Sequence, residues 1–148
     1  MKVECRISQE NDAPHAVICA RRMTPSLAQA IALLESEDSP VPVLPGRRDD
    51  KIFFLQGAEI DLIRSEGREI VCYDTDGIRY TLSSPLYELE EMLRSDFVRI
   101  SKSALVRIAG IDHVEASFHG TMRLVMRSHL EEYISRSYRK TFRERLGI

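Results

Sequence analysis

The chain has 148 residues, of which 43% are hydrophobic and 30% are charged, a composition typical of a single globular domain. Its start, Met1–Arg6, brings charge where the apolar region of a signal peptide would follow, and no apolar run approaches the roughly 18 residues needed to cross a bilayer. The three cysteines, Cys5, Cys19 and Cys72, have no C-x-x-C spacing. We therefore expect a cytoplasmic protein with reduced thiols.

The formal charge of −2 hides an asymmetry along the chain. Residues 1–93 hold 10 Lys and Arg against 17 Asp and Glu, whereas residues 94–148 hold 11 against 6. A basic end of this kind indicates a surface that faces an anion. The alternative is that a basic terminal helix simply presents a solvated face.

The first 50 residues predict a small α/β extension. Thr24-Pro25 is a helix start, because Thr accepts from free amides and Pro fits the first turn. Arg47-Arg48 beside Asp49-Asp50 is interpreted as a loop salt cluster rather than a phosphate site. The expected elements are strands at Lys2–Ser8 and His15–Ala20, a helix from Thr24 to about Ser36, and a Pro-rich connector with a short edge strand at Val41–Leu44.

From Lys51 onward the pattern becomes β. Asp76-Gly77 predicts a hairpin turn, and Ser84-Pro85 predicts the start of a second helix with Leu86, Leu89 and Leu93 buried. The expected strands are Lys51–Leu55, Ile60–Ser65, Glu69–Tyr73, Tyr80–Leu82, Phe97–Ile100, Leu105–Ile108, Ile111–Ala116, Thr121–Met126 and Glu131–Ser135, followed by a basic helix at Tyr138–Leu146.

These elements predict an α+β fold that is predominantly β, with about ten short, mainly antiparallel strands and three helices. The two principal helices cover parts of the β body. We place the domain boundary at residue 50, with an N-terminal extension at 1–50 that stabilises the body or mediates dimerisation, and the main body at 51–148.

The stretch Phe97–Arg107 alternates apolar residues with Ser, Lys and Arg, and Tyr133–Tyr138 repeats the pattern. A strand built in this way buries one row of side chains and presents the other row outward. Phosphate oxygens and base edges suit a row of cations and hydroxyls. An ordinary half-solvated strand would give the same alternation.

No catalytic constellation is visible in the sequence. Ser101 and Ser103 lack the G-x-S-x-G turn of a hydrolase, and His113, His119 and His129 lack the spacing of a zinc helix. With only seven glycines, the chain has no Gly-rich phosphate loop. We therefore expect no enzyme activity, no metal and no cofactor.

Taken in order, several motifs resemble those of the LytTR DNA-binding domain. They are the helix Ser84–Leu93, the F-x-R-I-x-K-S segment Phe97–Ser103, Ile111, and the closing I-S-R-S-Y of Ile134–Tyr138. The resemblance covers residues 51–148, and the whole chain resembles short stand-alone LytTR transcriptional regulators. Two positions differ from the family pattern: Arg107 stands where Asn is common, and Arg127-Ser128-His129 replaces the usual Gly-containing turn.

The resemblance implies a mainly β domain whose loops and strand ends enter successive major grooves of duplex DNA. It implies binding as a homodimer or as pairs on direct repeats in promoters, and regulation by a membrane protein. Fewer than 51 residues precede the β body, so we expect no receiver domain of about 120 residues and no phosphoryl control through one.

The resemblance also implies three contact segments. The second falls on Lys102, flanked by Ser101 and Ser103, and the third falls on Arg136, flanked by Ser135 and Ser137. The first falls loosely on Arg64–Arg68, including Ser65. Lys102 and Arg136 are the residues expected to contact bases. The residues expected to contact phosphate are Arg99, Arg107, Arg139, Lys140 and Arg143.

A second hypothesis remains open from the sequence. The same β body would also serve as a protein-interaction or ligand-sensing module that does not bind DNA, which the acidic N-terminal part and the net negative charge favour.

Overall fold

A computed structural model describes residues 17–35 and 42–148, and the chain divides into two compact units, 1–38 and 39–148. In the first unit, helix α1 spans Pro25–Glu35, and the Leu27 N–H donates to Thr24 Oγ1 at 3.2 Å, which confirms the predicted helix start. The strand expected at Lys2–Ser8 lies outside the described residues. Residues 17–20 are exposed and have no regular structure, so the described part of the strand expected at His15–Ala20 is wrong.

The second unit is built on a seven-stranded sheet in the order β2-β1-β5-β4-β3-β7-β6, and every pairing within it is antiparallel. Antiparallel neighbours follow from the short connections that the turn residues predict. Helix α2 spans Leu86–Met92 between β5 and β6. The strands are β1 Val43–Arg48, β2 Lys51–Gln56, β3 Ile60–Glu66, β4 Glu69–Asp74, β5 Arg79–Leu82, β6 Phe97–Ser101 and β7 Ala104–Arg107.

A smaller sheet and the C-terminal helix complete this unit. The sheet has three antiparallel strands in the order β10-β9-β8, with β8 at Ile111–Ala116, β9 at Met122–Met126 and β10 at Glu131–Ile134. Helix α3 spans Arg139–Leu146 and ends at Gly147, whose φ of 72° suits a residue without a Cβ. The strands and helices expected after residue 50 are all present in the described residues, within a few residues of the expected bounds.

The large sheet is buried on both faces near β6 and β7. On one face, Leu89 and Leu93 pack with Phe97 and Leu105 in a first core. On the other face, a second core joins the large sheet to the small sheet and α3; its buried members are Leu62, Val98, Ile100, Ala104, Val106, Leu124, Met126, Ile134 and Phe142. The expectation that Phe97–Arg107 buries one row and presents the other is therefore wrong, because a sheet between two layers buries both rows.

Two turns differ in detail from the sequence predictions. Pro85 is the N-cap of α2 with extended backbone angles, and no side chain caps the helix, whereas Ser84 was expected to do so. In the β9–β10 turn, His129 adopts a φ of 70°, the left-handed conformation that glycine takes at no steric cost. The hairpin therefore forms without the glycine.

The boundary between the two units lies earlier than residue 50. Strand β1 pairs with β2 along its whole length and with β5 at Gly46 and Arg47. It is thus an inner strand of the large sheet and not an edge strand at Val41–Leu44. Arg47 and Arg48 end this strand, and Arg48 pairs with Asp49 at 3.6 Å, as the salt-cluster interpretation expected.

Candidate nucleic-acid interface

Two backbone hydrogen bonds bring three separate segments of the chain together. The Ser65 N–H donates to Ser103 O at 2.8 Å, joining the β3–β4 hairpin to the β6–β7 turn. The Ser135 N–H donates to Ile100 O at 3.0 Å, joining the β10–α3 junction to β6 just before that turn. We call residues 64–68, 101–103 and 135–138 together the three-loop surface. These are the three segments in which contacts were expected.

Lys102 and Arg136 present their charges outward from this surface. Both side chains are exposed, and neither makes an ion pair or a side-chain hydrogen bond within the described part of the chain. The Arg136 side chain lies along Gly120, where an added Cβ would stand 3.3 Å from its Nε. An unpaired cation on a folded surface keeps its donors available for a ligand.

Arg99 lies behind the β6–β7 turn and holds it. Its Nε donates to Ser101 O at 2.7 Å, its Nη2 donates to Lys102 O, and its Nη1 pairs with Glu90 of α2 at 2.7 Å. The Ser103 N–H also donates to Ser101 Oγ at 3.1 Å, which tightens the turn. The Arg99 guanidinium, expected at phosphate, is thus engaged by carbonyl oxygens and a carboxylate.

Arg107 also has protein partners where a phosphate contact was expected. Its Nε donates to Ile60 O at 3.0 Å, and its Nη2 pairs at 2.6 Å with Asp61, whose side chain is only 2% exposed. A buried carboxylate needs such a partner, because water cannot solvate it there. Arg107, which stands where the family pattern commonly has Asn, therefore stabilises the fold.

Arg64 joins the large sheet to the small one. Its Nη1 pairs with Glu132 of β10 at 2.7 Å, and its guanidinium stands 5.0 Å from the centre of the Tyr73 ring. Burial alone would lower the pKa of Arg64, but hydrogen bonds with Glu132 and Tyr73 raise it above its ordinary value. The Tyr73 hydroxyl donates to Glu66 at 2.6 Å and lowers the pKa of that carboxyl. Of this segment, Arg68 is exposed and has no ion-pair partner among the described residues.

The remaining expected residues lie close to the junction or on α3. Ser135 Oγ and Ser137 Oγ are 3.4 Å apart, on either side of Arg136. Phe142, 1% exposed, fixes α3 on the second core. The helix cations Arg139, Lys140 and Arg143 are exposed. Lys140 Nζ lies 3.9 Å from Glu144 Oε1.

One neighbouring turn was not among the expected contact residues. The β8–β9 turn carries Phe118, 85% exposed, and His119 with a φ of 59°, and it reaches Arg136 through Gly120. The sequence predicted the strands on either side of this turn, but no local pattern shows that Gly120 lies beside Arg136, 16 positions later.

Residues 17–35 and 42–148 hold no candidate metal site. No three His, Cys, Asp or Glu side chains lie close enough to hold a metal ion there. Burial raises the pKa of the Cys72 thiol to about 12, so this cysteine remains protonated. No helix in these ranges is long and apolar enough to cross a membrane.

Comparison with known families agrees with this geometry. Residues 50–147 match the LytTr DNA-binding domain family. The chain belongs to the LytTR family. It is similar over 99% of its length, at 28% identity, to the sensory transduction protein LytR of Staphylococcus haemolyticus, of which it spans 56%. It is also 26% identical to an uncharacterized HTH-type transcriptional regulator of Staphylococcus aureus, and covers 99% of that protein.

A solved structure shares the fold of this LytTR protein. It is the LytTr DNA-binding domain of a protein described as a methyl-accepting/DNA response regulator from Bacillus cereus, with a TM-score of 0.68 and 21% identity. The match covers 72% of the present chain and 97% of that domain. The family match identifies a LytTr DNA-binding domain over residues 50–147, and no receiver domain is evident in the described residues.

Proposed function

We propose that this LytTR protein binds specific sequences in promoter DNA through the three-loop surface and so regulates transcription. The observation that carries the proposal is that Lys102 and Arg136, both free of side-chain partners among the described residues, lie on segments joined by the hydrogen bond from Ser135 to Ile100. Long cationic side chains of this kind donate to guanine O6 and N7 in the major groove.

The remaining residues supply the orientation. Hydroxyls and exposed cations around the two base-contacting residues bind phosphate oxygens, which sets the register of the protein on the duplex without reading sequence. The candidates are Arg68, Ser101, Ser103, Ser135, Ser137, Arg139, Lys140 and Arg143, all exposed or half-buried. Arg64, Arg99 and Arg107 support the surface from within.

Arg99 acts as a positioning residue for Lys102. We expect Arg99→Ala to weaken binding of specific DNA about tenfold, because the turn loses the donors to two of its carbonyl oxygens. Equilibrium binding at several salt concentrations should show an unchanged slope, since no phosphate contact is removed. Arg94→Ala, in the turn before β6 and 80% exposed, is the matched control and should bind like wild type. A slope reduced by about one would instead make Arg99 a phosphate ligand.

Substitution of Arg143 should change the salt dependence of binding, unlike substitution of Arg99. Arg143→Ala removes an exposed cation of α3, so affinity for specific and random duplexes should fall by the same factor. The dependence of log K on log salt should flatten by about one unit, because one fewer counterion is released. Fluorescence anisotropy with both duplexes measures this. A loss confined to the specific duplex would contradict the phosphate role.

The proposal has a wider part that rests on the family resemblance. It includes a cytoplasmic location, no catalytic activity, action as a homodimer on direct repeats, and restraint by a membrane protein. The N-terminal extension, expected at residues 1–50 but ending before β1 in the structure, is proposed to stabilise the body or contribute to dimerisation. The basic balance of residues 94–148 supports DNA as the partner.

A mobility-shift assay with the DNA upstream of the chain's own gene tests the proposal. We expect a shift at low salt that persists against random competitor DNA and weakens as salt rises. Absence of a shift at low salt would overturn DNA binding and favour the interaction or sensing module.

A further inference from the structure

The outer strand β2 carries an exposed apolar surface. Ile52 is 62% exposed and Phe54 is 72% exposed. Alternate residues of a strand share a face, and the β1–β2 register places Pro45 opposite Phe54 and Val43 opposite Gln56 on that face. Val43, Pro45, Ile52 and Phe54 form what we call the apolar edge patch.

Within residues 42–148, this patch lies on an uncovered part of the large sheet. The cross-strand pairs Arg47–Thr81, Thr81–Val71 and Val71–Arg64 place it on the same face as Leu62, which belongs to the second core. On that face the small sheet and α3 pack over the end formed by β3, β7 and β6. Within residues 42–148, the β1–β2 end has no such cover.

The backbone of β2 is also open on its outer side. In the described chain β2 pairs only with β1, through a two-residue turn at residues 49–50 with φ of 49° and 60°. In such a hairpin the flanking pair, Arg48 and Lys51, is hydrogen-bonded, and bonded pairs alternate from there. The N–H and C=O groups of Ile52 and Phe54 therefore point away from β1.

The next outward donor is already satisfied. The Gln56 N–H donates to Glu59 Oε2 at 2.8 Å, which closes this end of the edge. We propose that β2 pairs antiparallel with β2 of a second copy, with Ile52 opposite the partner's Phe54 and Phe54 opposite the partner's Ile52. This register forms four backbone hydrogen bonds, uses every open group of the two residues, and leaves the bond from Gln56 to Glu59 intact.

The open groups of the edge favour a second copy as the occupant. Ile52 and Phe54 each direct one N–H and one C=O outward, so an antiparallel copy of the same two residues satisfies all of these groups with its own. A twofold axis forms each of these contacts twice. Edges that avoid pairing carry a proline, a bulge or central charges, whereas β2 has regular register and apolar residues at its centre.

This inference deepens the proposed homodimer by naming its surface, and it rests on that part of the proposed function. Strands β2 and β6 are opposite edges of the sheet, so pairing through β2 leaves the three-loop surface of each copy accessible. A twofold dimer presents its two surfaces in opposite senses. A direct repeat would then recruit one dimer at each half-site.

Sedimentation velocity of the full chain without DNA tests the pairing. We expect a mass of twice 17.0 kDa for the wild type. Phe54→Pro removes an outward N–H and leaves β1–β2 pairing intact, because proline is tolerated on an edge strand. It should weaken self-association about tenfold or more and shift the protein toward 17.0 kDa.

Two further variants test whether any loss of the dimer is specific to β2. Ile52→Glu places a carboxylate against the apolar strand of the partner and should also give monomer, with an unchanged circular dichroism spectrum. Tyr87→Ala removes an equally exposed aromatic residue of α2, 69% exposed, and should remain dimeric. A monomeric wild type at every concentration, or folded Phe54→Pro and Ile52→Glu proteins as dimeric as wild type, would overturn the pairing. Since no DNA is present, such a result is distinct from a failure of DNA binding.

Discussion

Lys102→Ala and Arg136→Ala are each expected to abolish most of the preference for the native promoter site. A base contact contributes about 1–3 kcal/mol of discrimination, so the dissociation constant for specific DNA should rise about five- to 150-fold. Binding to random duplex should change far less, because most non-specific affinity comes from other phosphate contacts. The fold should be unaffected, since both side chains are exposed and unpaired in the described chain.

Competition binding with the promoter duplex and a shuffled duplex measures this ratio. Arg94→Ala removes the same charge from an 80% exposed side chain in the turn before β6, and should keep the wild-type ratio. If both variants kept the wild-type preference while remaining folded, base contact would have to come from other residues. The β8–β9 turn, with the exposed Phe118 beside Arg136, would then be the next segment to substitute.

Arg107→Ala is expected to lower the free energy of unfolding by about 3–5 kcal/mol, since it leaves the buried Asp61 without its cation. Urea denaturation measures the loss. Asp61→Asn in the Arg107→Met background should recover part of it, because no buried charge then remains. Arg79→Ala breaks ion pairs of a 44% exposed side chain and should cost less than about 1 kcal/mol. A cost for Arg107→Ala no larger than that for Arg79→Ala would show that the pair contributes little.

The sequence predicted the elements of the β body well, because their signals are local. The Asp76-Gly77 turn and the leucine spacing of α2 depend only on residues near one another, and Gly77 takes the expected positive φ of 79°. The layer on each face of β6 could not be predicted in this way. It depends on which distant segments pack on Val98 and Phe97, and alternation within a strand carries no such information.

For the site, the sequence predicted where the cations are but not which of them are free. The F-x-R-I-x-K-S pattern does not distinguish Arg99 from Lys102. Only the structure shows that Glu90 and the carbonyl oxygens of the turn bind Arg99. The partners of Arg64 and Arg107 are 68 and 46 residues away. Pairings at such separations are set by tertiary structure. The contact roles of Lys102 and Arg136 stay predictions.

The joining of the three-loop surface has a consequence for the order of events during synthesis. The hydrogen bond from Ser135 to Ile100 forms only when residues 135–148 have been synthesised and pack on β6. The buried Phe142 holds this segment in place. Long-range contacts of this kind form late and slowly, because the intervening loop must close first. A chain that ends before residue 134 therefore has Lys102 but no assembled three-loop surface. We expect proteolytic cleavage before residue 134 to abolish the proposed DNA binding while leaving the β6–β7 turn intact.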